Sequence, residues 1–168
     1  MSSKVPMTPR SYNALRKEVF RLKGMRPELA QAIEVARALG DLKENADYDA
    51  AKEKSGMTEA KIRDIDHKLS NAQVIDPRQN PEPEKVTFGV SVKIVDVESN
   101  EKRIMMLVGA DESNVEKGLI SFESPIGKSL IGKSIGDIAT INLPSGKKEY
   151  EILEIFLEYT EEAVEQDS

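Results

Sequence analysis

The segment at residues 36–48 reads ARALGDLKENADY, and it separates two stretches in which apolar or small side chains recur every three or four residues. This spacing is typical of helices that pack along one seam. The upstream seam consists of Tyr12, Leu15, Val19, Leu22, Arg26, Leu29, Ile33 and Ala36, and the downstream seam of Tyr48, Ala51, Ser55, Thr58, Ile62, Ile65, Leu69 and Ala72. The sequence therefore predicts an antiparallel coiled-coil hairpin joined at residues 41–45, with arms about 45 Å long.

Proline, hydroxyl and glycine residues mark where the predicted helices begin, break and end. Thr8-Pro9 pairs a hydroxyl N-cap with proline at the first helical position, which is a common helix start. Pro27 has no N–H group to donate, so it predicts a kink or a restart near Arg26. Gly40 predicts the end of the upstream run.

Three prolines within residues 77–84 mark the clearest boundary in the chain. Proline among polar neighbours is typical of a short, stiff linker. We therefore expect the helical hairpin to occupy residues 1–76 and a C-terminal domain to occupy residues 85–158. The last segment, residues 159–168, is acidic, and we expect the chain to fray from Glu158.

Beyond the linker the periodicity changes from that of helices to that of strands. Short runs rich in β-branched residues alternate with turn residues, which predicts a mostly antiparallel sheet. The predicted strands lie within residues 86–97, 104–108, 118–122, 137–143 and 149–157. Ser124-Pro125 predicts the start of one short helix. The expected fold class is α+β: a helical hairpin followed by a small antiparallel-sheet domain with a short helix.

Composition and charge exclude several kinds of site. The 168 residues include no cysteine and one histidine, His67, which excludes disulfides and zinc clusters; we expect His67 on a helix surface. The polar N-terminus and the lack of a long apolar run predict a cytoplasmic protein that does not bind membranes. Residues 1–75 carry 14 basic and 11 acidic side chains, and residues 76–168 carry 10 and 19. The net charge of the whole chain is −6. This asymmetry indicates different roles for the two parts.

Two carboxylates in the central segment are the first candidates for chemistry. Asp41 and Glu44 are three residues apart, so one helical turn would place both on the same side of the tip. Carboxylate oxygens suit Mg²⁺, but two of them leave most of its octahedral positions to water or to a second macromolecule. Such a tip would complete a metal site in a partner. The alternative is that Asp41 and Glu44 only cap the second helix, whose N-terminus favours negative charge.

A basic spot lies behind this tip. Arg37 precedes Asp41 by one helical turn, and Lys52 follows Glu44 by about two turns. Together with Lys54 they could bind a phosphate backbone. The alternative is an ordinary solvated face of a coiled coil, because charged residues commonly occupy such faces.

Three segments resemble one protein family. Residues 36–48 are similar to the tip signature of the GreA/GreB transcript cleavage factors, and residues 69–76, LSNAQVID, to the end of their coiled coil. Residues 124–137, SPIGKSLIGKSIGD, resemble the second family signature, in the C-terminal domain. The resemblance extends from Thr8 to about Leu157 and is closest to the GreA branch.

The resemblance implies an accessory transcription factor rather than an enzyme. Its hairpin would enter the secondary channel of a backtracked bacterial RNA polymerase. There, Asp41 and Glu44 would help to bind a catalytic Mg²⁺ that is shared with the polymerase and not held tightly by the factor alone. The polymerase would then cleave the nascent RNA near its 3′ end and resume elongation. Arg37 and Lys52 would contact that RNA, with Lys52 in place of the commoner arginine.

The resemblance also implies that the C-terminal domain has an FKBP-like fold and docks at the channel entrance. The implied docking residues are Ser124, Pro125, Ile126, Gly132, Gly136 and Asp137. Two further positions depart from the family pattern. Lys43 stands where serine is common and places a cation between the tip carboxylates. Gly127 stands where alanine is common, and we expect it to loosen the short helix by about 1 kcal/mol.

Three other functions remain open from the sequence. An inhibitory homologue of the family would occupy the channel without stimulating cleavage, although Asp41 and Glu44 are both present. A prolyl isomerase would need an aromatic pocket floor, and the chain has no Trp and only four Phe. A coiled-coil adaptor would need no chemistry at all. We expect a monomer, because the two arms of the hairpin satisfy each other's seams.

Overall fold

The computed structural model describes residues 4–39 and 45–160. Within them the chain forms two compact units. One contains Tyr12–Ala72, and the other contains Lys4–Ser11 together with residues 73–160. The sequence assigned all of residues 1–76 to the hairpin. The structure groups Lys4–Ser11 with the C-terminal unit because these residues pair with chain segments of that unit.

The helical unit follows the predicted seams. Helix α1 spans Pro9–Gly24, α2 spans Arg26–Ala38 and α3 spans Ala46–Ser70. The break between α1 and α2 confirms the restart predicted from Pro27, which supplies no N–H group. The apolar cluster between the arms consists of Val19, Leu22, Ile62 and Ile65, with Leu15, Met25 and Leu69 packed against it.

One seam position differs from the prediction. Arg26 is exposed, and the neighbouring Met25 packs against the apolar cluster instead. The Arg26 guanidinium donates from Nε and Nη2 to the two carboxylate oxygens of Glu59, at 2.7 and 2.9 Å. Met25 continues the three- and four-residue spacing from Leu22 to Leu29 as well as Arg26 would, and the apolar side chain takes the half-buried position. Exposed ion pairs add little stability, and the buried seam therefore holds the arms together.

Small side chains occupy the distal part of the seam, as predicted. Ala36 and Thr58 are buried, and Ala51 and Ser55 are half-buried. The Thr58 hydroxyl donates to the Lys54 carbonyl at 2.9 Å, so its polar group is satisfied within the helix. This region has little apolar surface to bury, and the two helices can approach closely there.

The C-terminal unit contains a five-stranded sheet in the order β5-β4-β3-β7-β6. Its strands are β3 (Ser91–Asp96), β4 (Lys102–Val108), β5 (Leu119–Ser121), β6 (Ile138–Leu143) and β7 (Gly146–Phe156). All pairings are antiparallel except β4 with β5, which confirms the predicted α+β class with a mostly antiparallel sheet. The sequence did not predict a second sheet, in which β1 (Val5–Met7) pairs with β2 (Ala72–Val74).

Helix α4 (Pro125–Leu130) contributes Leu130 to the core of the sheet. The core residues are Val86, Val90, Val92, Ile94, Met105, Leu107, Ile120, Leu130, Ala139, Ile141, Tyr150 and Ile152. Full burial of one aliphatic side chain is worth about 1.5–3 kcal/mol, so this cluster supplies most of the unit's stability. Met105 belongs to it, whereas the next residue, Met106, packs in a second cluster with Val108 and Tyr159. Both methionines therefore fill apolar cores.

Gly127 in α4 corrects the expectation that it loosens the helix relative to alanine. A Cβ atom at this position would overlap the carbonyl oxygen of Ser121 and lie 2.9 Å from the Cα atom of Phe122. Both are backbone atoms and cannot rotate away. The absence of a side chain is what allows α4 to lie against the end of β5, and alanine would force the two segments apart.

The end of the described chain corrects the prediction that it frays from Glu158. Tyr159 is buried and packs with Met106 and Val108. Its hydroxyl accepts the Arg10 backbone N–H at 2.9 Å, and the Arg10 guanidinium lies 4.7 Å from the centre of its ring. Burial raises the pKa of this phenol.

His67 is exposed on helix α3, as predicted. Within residues 4–39 and 45–160, no helix is both long and apolar enough to cross a bilayer.

Candidate metal and nucleic-acid interface at the hairpin tip

Two helix ends flank the predicted metal-binding segment. Helix α2 ends at Ala38 with Leu39 as its C-cap, and α3 begins at Ala46 with Asn45 as its N-cap. Asp41 and Glu44, the predicted metal ligands, lie between these ends and outside the described residues. Lys43 lies there too. Their predicted roles therefore stay predictions.

The donor chemistry of this segment can still be compared with the needs of Mg²⁺. Asp41 and Glu44 offer only carboxylate oxygens, which are the hard ligands that Mg²⁺ prefers. Two residues cannot fill an octahedral shell, so the remaining positions would fall to water or a partner. The donor chemistry of Asp41 and Glu44 fits an ion that is shared with a partner. Among residues 4–39 and 45–160, no group of three or more Asp, Glu or His side chains is placed to bind a metal.

Asn45 joins the two arms at the base of the tip. Its side-chain oxygen accepts the Tyr48 backbone N–H at 3.1 Å, which caps α3. Its side-chain nitrogen donates to the Ala36 carbonyl at 2.5 Å, and this carbonyl in the last turn of α2 also accepts the Leu39 N–H at 3.2 Å. One amide therefore uses its acceptor on one helix and its donor on the other. Neither contact of Asn45 was predicted, although asparagine immediately before a helix is a recognised cap signal.

We expect Asn45→Ala to destabilise the hairpin by about 1–2 kcal/mol, because the cap and the bridge are both lost. Asn45→Asp is the matched variant, since its carboxylate can accept the Tyr48 N–H but cannot donate to Ala36. Hydrogen exchange of the Tyr48 and Asp49 amides, with thermal unfolding, measures the two effects. Loss of protection in the alanine variant alone would assign the effect to the cap and contradict a contribution from the bond to Ala36. Wild-type stability in both variants would contradict both contributions.

The predicted RNA contacts, Arg37 and Lys52, meet at one aromatic ring. The Arg37 guanidinium carbon lies 5.9 Å from the centre of the Tyr48 ring, and the Lys52 Nζ atom lies 5.5 Å from it. Arg37 also pairs with Glu34 at 3.6 Å, and both side chains are more than half exposed. Lys54, the third predicted cation, instead lines a shallow groove beside Met25 and Met57.

Electrostatics confirm that Tyr48 lies in a positive environment. The hydrogen bond with the Arg37 guanidinium, together with the charges of Lys52 and Arg37, lowers the pKa of the Tyr48 phenol. The same hydrogen bond raises the pKa of Arg37. Two adjacent cations on one exposed face suit a phosphate anion. The seam spacing indicates only a packing role for Tyr48. The four-residue spacing between Tyr48 and Lys52 is the sequence pattern that could have indicated their contact.

The six predicted docking residues of the C-terminal unit have local structural roles. The Ser124 hydroxyl accepts the Gly127 N–H at 3.1 Å and so caps α4, while Ile126 packs against the core. Gly132 and Gly136 have φ angles of 84° and 91°, which favour glycine. An Asp137 carboxylate oxygen accepts the Ser134 N–H at 2.8 Å. Pro125 occupies the first turn of α4 and is exposed.

Exposed apolar side chains lie beside those residues. Ile131, Ile135 and Ile138 are 39%, 62% and 41% exposed, and they alternate with the two turn glycines. Three exposed isoleucines within residues 131–138 make this segment a candidate for contact with a partner. Their spacing of four and three residues is that of a helix face, but the intervening glycines have positive φ angles and β6 begins at Ile138, so the segment is not a helix.

Comparisons with known proteins identify relatives of this chain over most of its length. A family model described as "Transcription elongation factor, N-terminal" matches residues 5–74, and one described as "Transcription elongation factor, GreA/GreB, C-term" matches residues 80–156. The transcription elongation factor GreA of Pseudomonas aeruginosa is 53% identical over 154 residues, covering 91% of this chain and 98% of that protein. The GreA of Vibrio cholerae is 50% identical over 149 residues, covering 89% and 95%.

Solved structures give a weaker likeness. The GreA factor homolog 1 protein of Thermus thermophilus is 27% identical, with 90% of this chain and 98% of that chain covered and a TM-score of 0.42. The two family models together span most of the sequence, and the relatives match it over nearly their whole length. The chain belongs to the GreA/GreB family of transcription elongation factors.

Proposed function

We propose that this protein inserts its helical hairpin into the secondary channel of backtracked bacterial RNA polymerase and stimulates cleavage of the nascent RNA by the polymerase. The observation that carries the proposal is the convergence of Arg37 and Lys52 on Tyr48, next to the helix ends that flank Asp41 and Glu44. Cations suited to RNA phosphates and carboxylates suited to a metal thus belong to one end of the hairpin.

The dimensions of the helices support insertion. Helix α3 has 25 residues, which at 1.5 Å per residue gives a length of about 37 Å. Its distal seam is built from small side chains, so the two helices need little width where they would have to enter a channel. Buried aliphatic residues are concentrated at the other end of the arms, where they give the hairpin its stiffness.

The chemistry divides between the partner and this chain. A bound Mg²⁺ would stabilise charge on phosphate oxygens and lower the pKa of a water molecule. Asp41 and Glu44 would supply oxygen ligands to that ion, and one of them could orient the attacking water or accept its proton. Arg37 and Lys52 would bind the RNA backbone. In this proposal the chain holds no complete active site and acts as an accessory factor in the cytoplasm.

The C-terminal unit would hold the factor on the polymerase. Ile131, Ile135 and Ile138 offer the apolar surface for this contact, and the predicted docking residues shape the loop that presents them. Binding by the C-terminal unit would raise the effective concentration of the hairpin at the channel, because the two units are linked in one chain.

RNA labelled at its 3′ end in halted, backtracked elongation complexes tests the proposal. We expect the full-length protein to release short labelled fragments and to restore elongation from the shortened transcript. Complexes without the protein supply the background rate of cleavage by the polymerase. Binding to the complexes without fragment release would contradict the proposal and would identify an inhibitory factor that occupies the channel.

A further inference from the structure

Tyr48 occupies the centre of the basic site rather than its edge. It lies in the first turn of α3, it is half-buried, and its backbone N–H is bound by Asn45. Arg37 reaches the ring from the last turn of α2, and Lys52 reaches it from one turn further along α3. The ring is joined to the capped helix start through two side-chain torsions, whereas both cations are carried on longer and more flexible side chains.

The ring solves a physical problem for two neighbouring cations. Arg37 and Lys52 repel each other, and each has many rotamers in solvent. An aromatic face attracts cations electrostatically, and both cations lie within 6 Å of the centre of the Tyr48 ring. Arg37 contacts the exposed carboxylate of Glu34 at 3.6 Å and the Tyr48 ring at the same time. The ring is therefore the contact that Arg37 shares with Lys52.

We propose that Tyr48 is a positioning residue, which holds Arg37 and Lys52 together as one cation pair for the RNA backbone. This inference rests on the proposed function and adds to it a residue that need not touch the RNA. Because the ring contacts two cations, Tyr48 acts through them, and it does not serve as a stacking platform for a base. The inference therefore predicts that the effect of Tyr48 disappears when both cations are absent.

The test is a titration of a nine-nucleotide single-stranded RNA into the isotope-labelled full-length protein, followed by NMR signals of Arg37, Tyr48 and Lys52. We expect Tyr48→Leu to weaken RNA binding about tenfold and Tyr48→Phe, which keeps the ring, about threefold. In an Arg37→Ala/Lys52→Ala background, we expect Tyr48→Leu to cause no further loss, because coupled residues are not additive. Circular dichroism of each variant checks that the helices remain folded.

Three results would overturn the inference: wild-type RNA affinity in Tyr48→Leu, a further loss of affinity in the background without the two cations, or no RNA-dependent shifts in the wild type. The titration uses no polymerase, so it separates this inference from the proposed function. If the wild-type protein binds RNA with the expected coupling but releases no RNA fragments from elongation complexes, Tyr48 keeps its positioning role and the cleavage proposal fails.

Discussion

The double variant Asp41→Asn/Glu44→Gln is expected to reduce stimulated RNA cleavage by at least about 100-fold, while binding to the polymerase stays unchanged. The substitutions preserve side-chain size and remove two negative charges. Amide groups are much poorer ligands for Mg²⁺ than carboxylates. They also cannot act as a general base, a role that contributes about 10²–10⁴-fold where it operates. The measurement is fragment release from labelled RNA at saturating factor.

Asp47→Asn/Asp49→Asn is the matched control for this variant. Both residues lie in the first turn of α3, so the control removes the same charge from the same end of the hairpin. We expect its cleavage activity to stay within about threefold of wild type, because helix-dipole effects of exposed carboxylates are small. Equal losses in the two variants would show that general electrostatics, rather than metal ligation, explains the effect of Asp41 and Glu44.

A second large effect is expected from a buried ion pair in the C-terminal unit. Glu112→Gln should destabilise this unit by about 3–5 kcal/mol, since it leaves the Arg10 guanidinium buried without a charged partner. The Arg10 and Glu112 side chains are only 7% and 9% exposed, and Arg10 Nε donates to Glu112 Oε2. The Thr8 hydroxyl donates to the other carboxylate oxygen at 2.6 Å. Native-state hydrogen exchange of amides in β3 reports the stability of the unit.

Two further variants show whether the loss arises from an unpaired charge. Arg10→Met/Glu112→Met removes both charges with similar volumes, and we expect it to recover at least about half of the lost stability. Lys148→Met breaks a pair with Asp96 in the same unit, in which the Lys148 side chain is 53% exposed, and we expect a change below about 1 kcal/mol. A cost below about 1 kcal/mol for Glu112→Gln would contradict burial of the pair.

The hairpin was predictable because its determinants are local. A seam of apolar residues three or four apart specifies a helix and its buried face at the same time. Pro27 specified the α1–α2 break through its missing N–H group. Spacing alone did not choose Met25 over Arg26, because both positions lie three or four residues from the buried Leu22 and Leu29.

The candidate site was predictable only in part. Its charged residues could be named from spacing and from the family resemblance, but spacing does not say which side chains meet. Arg37 and Tyr48 come from different helices, and their contact depends on how the arms pack. Asn45 likewise caps one helix and binds a carbonyl of the other, which a cap signal in the sequence does not show.

By itself, the sequence determined the order of the elements, the faces they bury, the short helix after Ser124 and the family of the protein. These features follow from residue periodicity, proline and glycine positions, and motifs within short segments. Only the tertiary structure decided the roles of Gly127, Tyr159 and the Arg10–Glu112 pair. Arg10 meets Glu112 across 102 positions and Tyr159 across 149. Contacts at such separations depend on the packed shape of the domain, which no local pattern encodes.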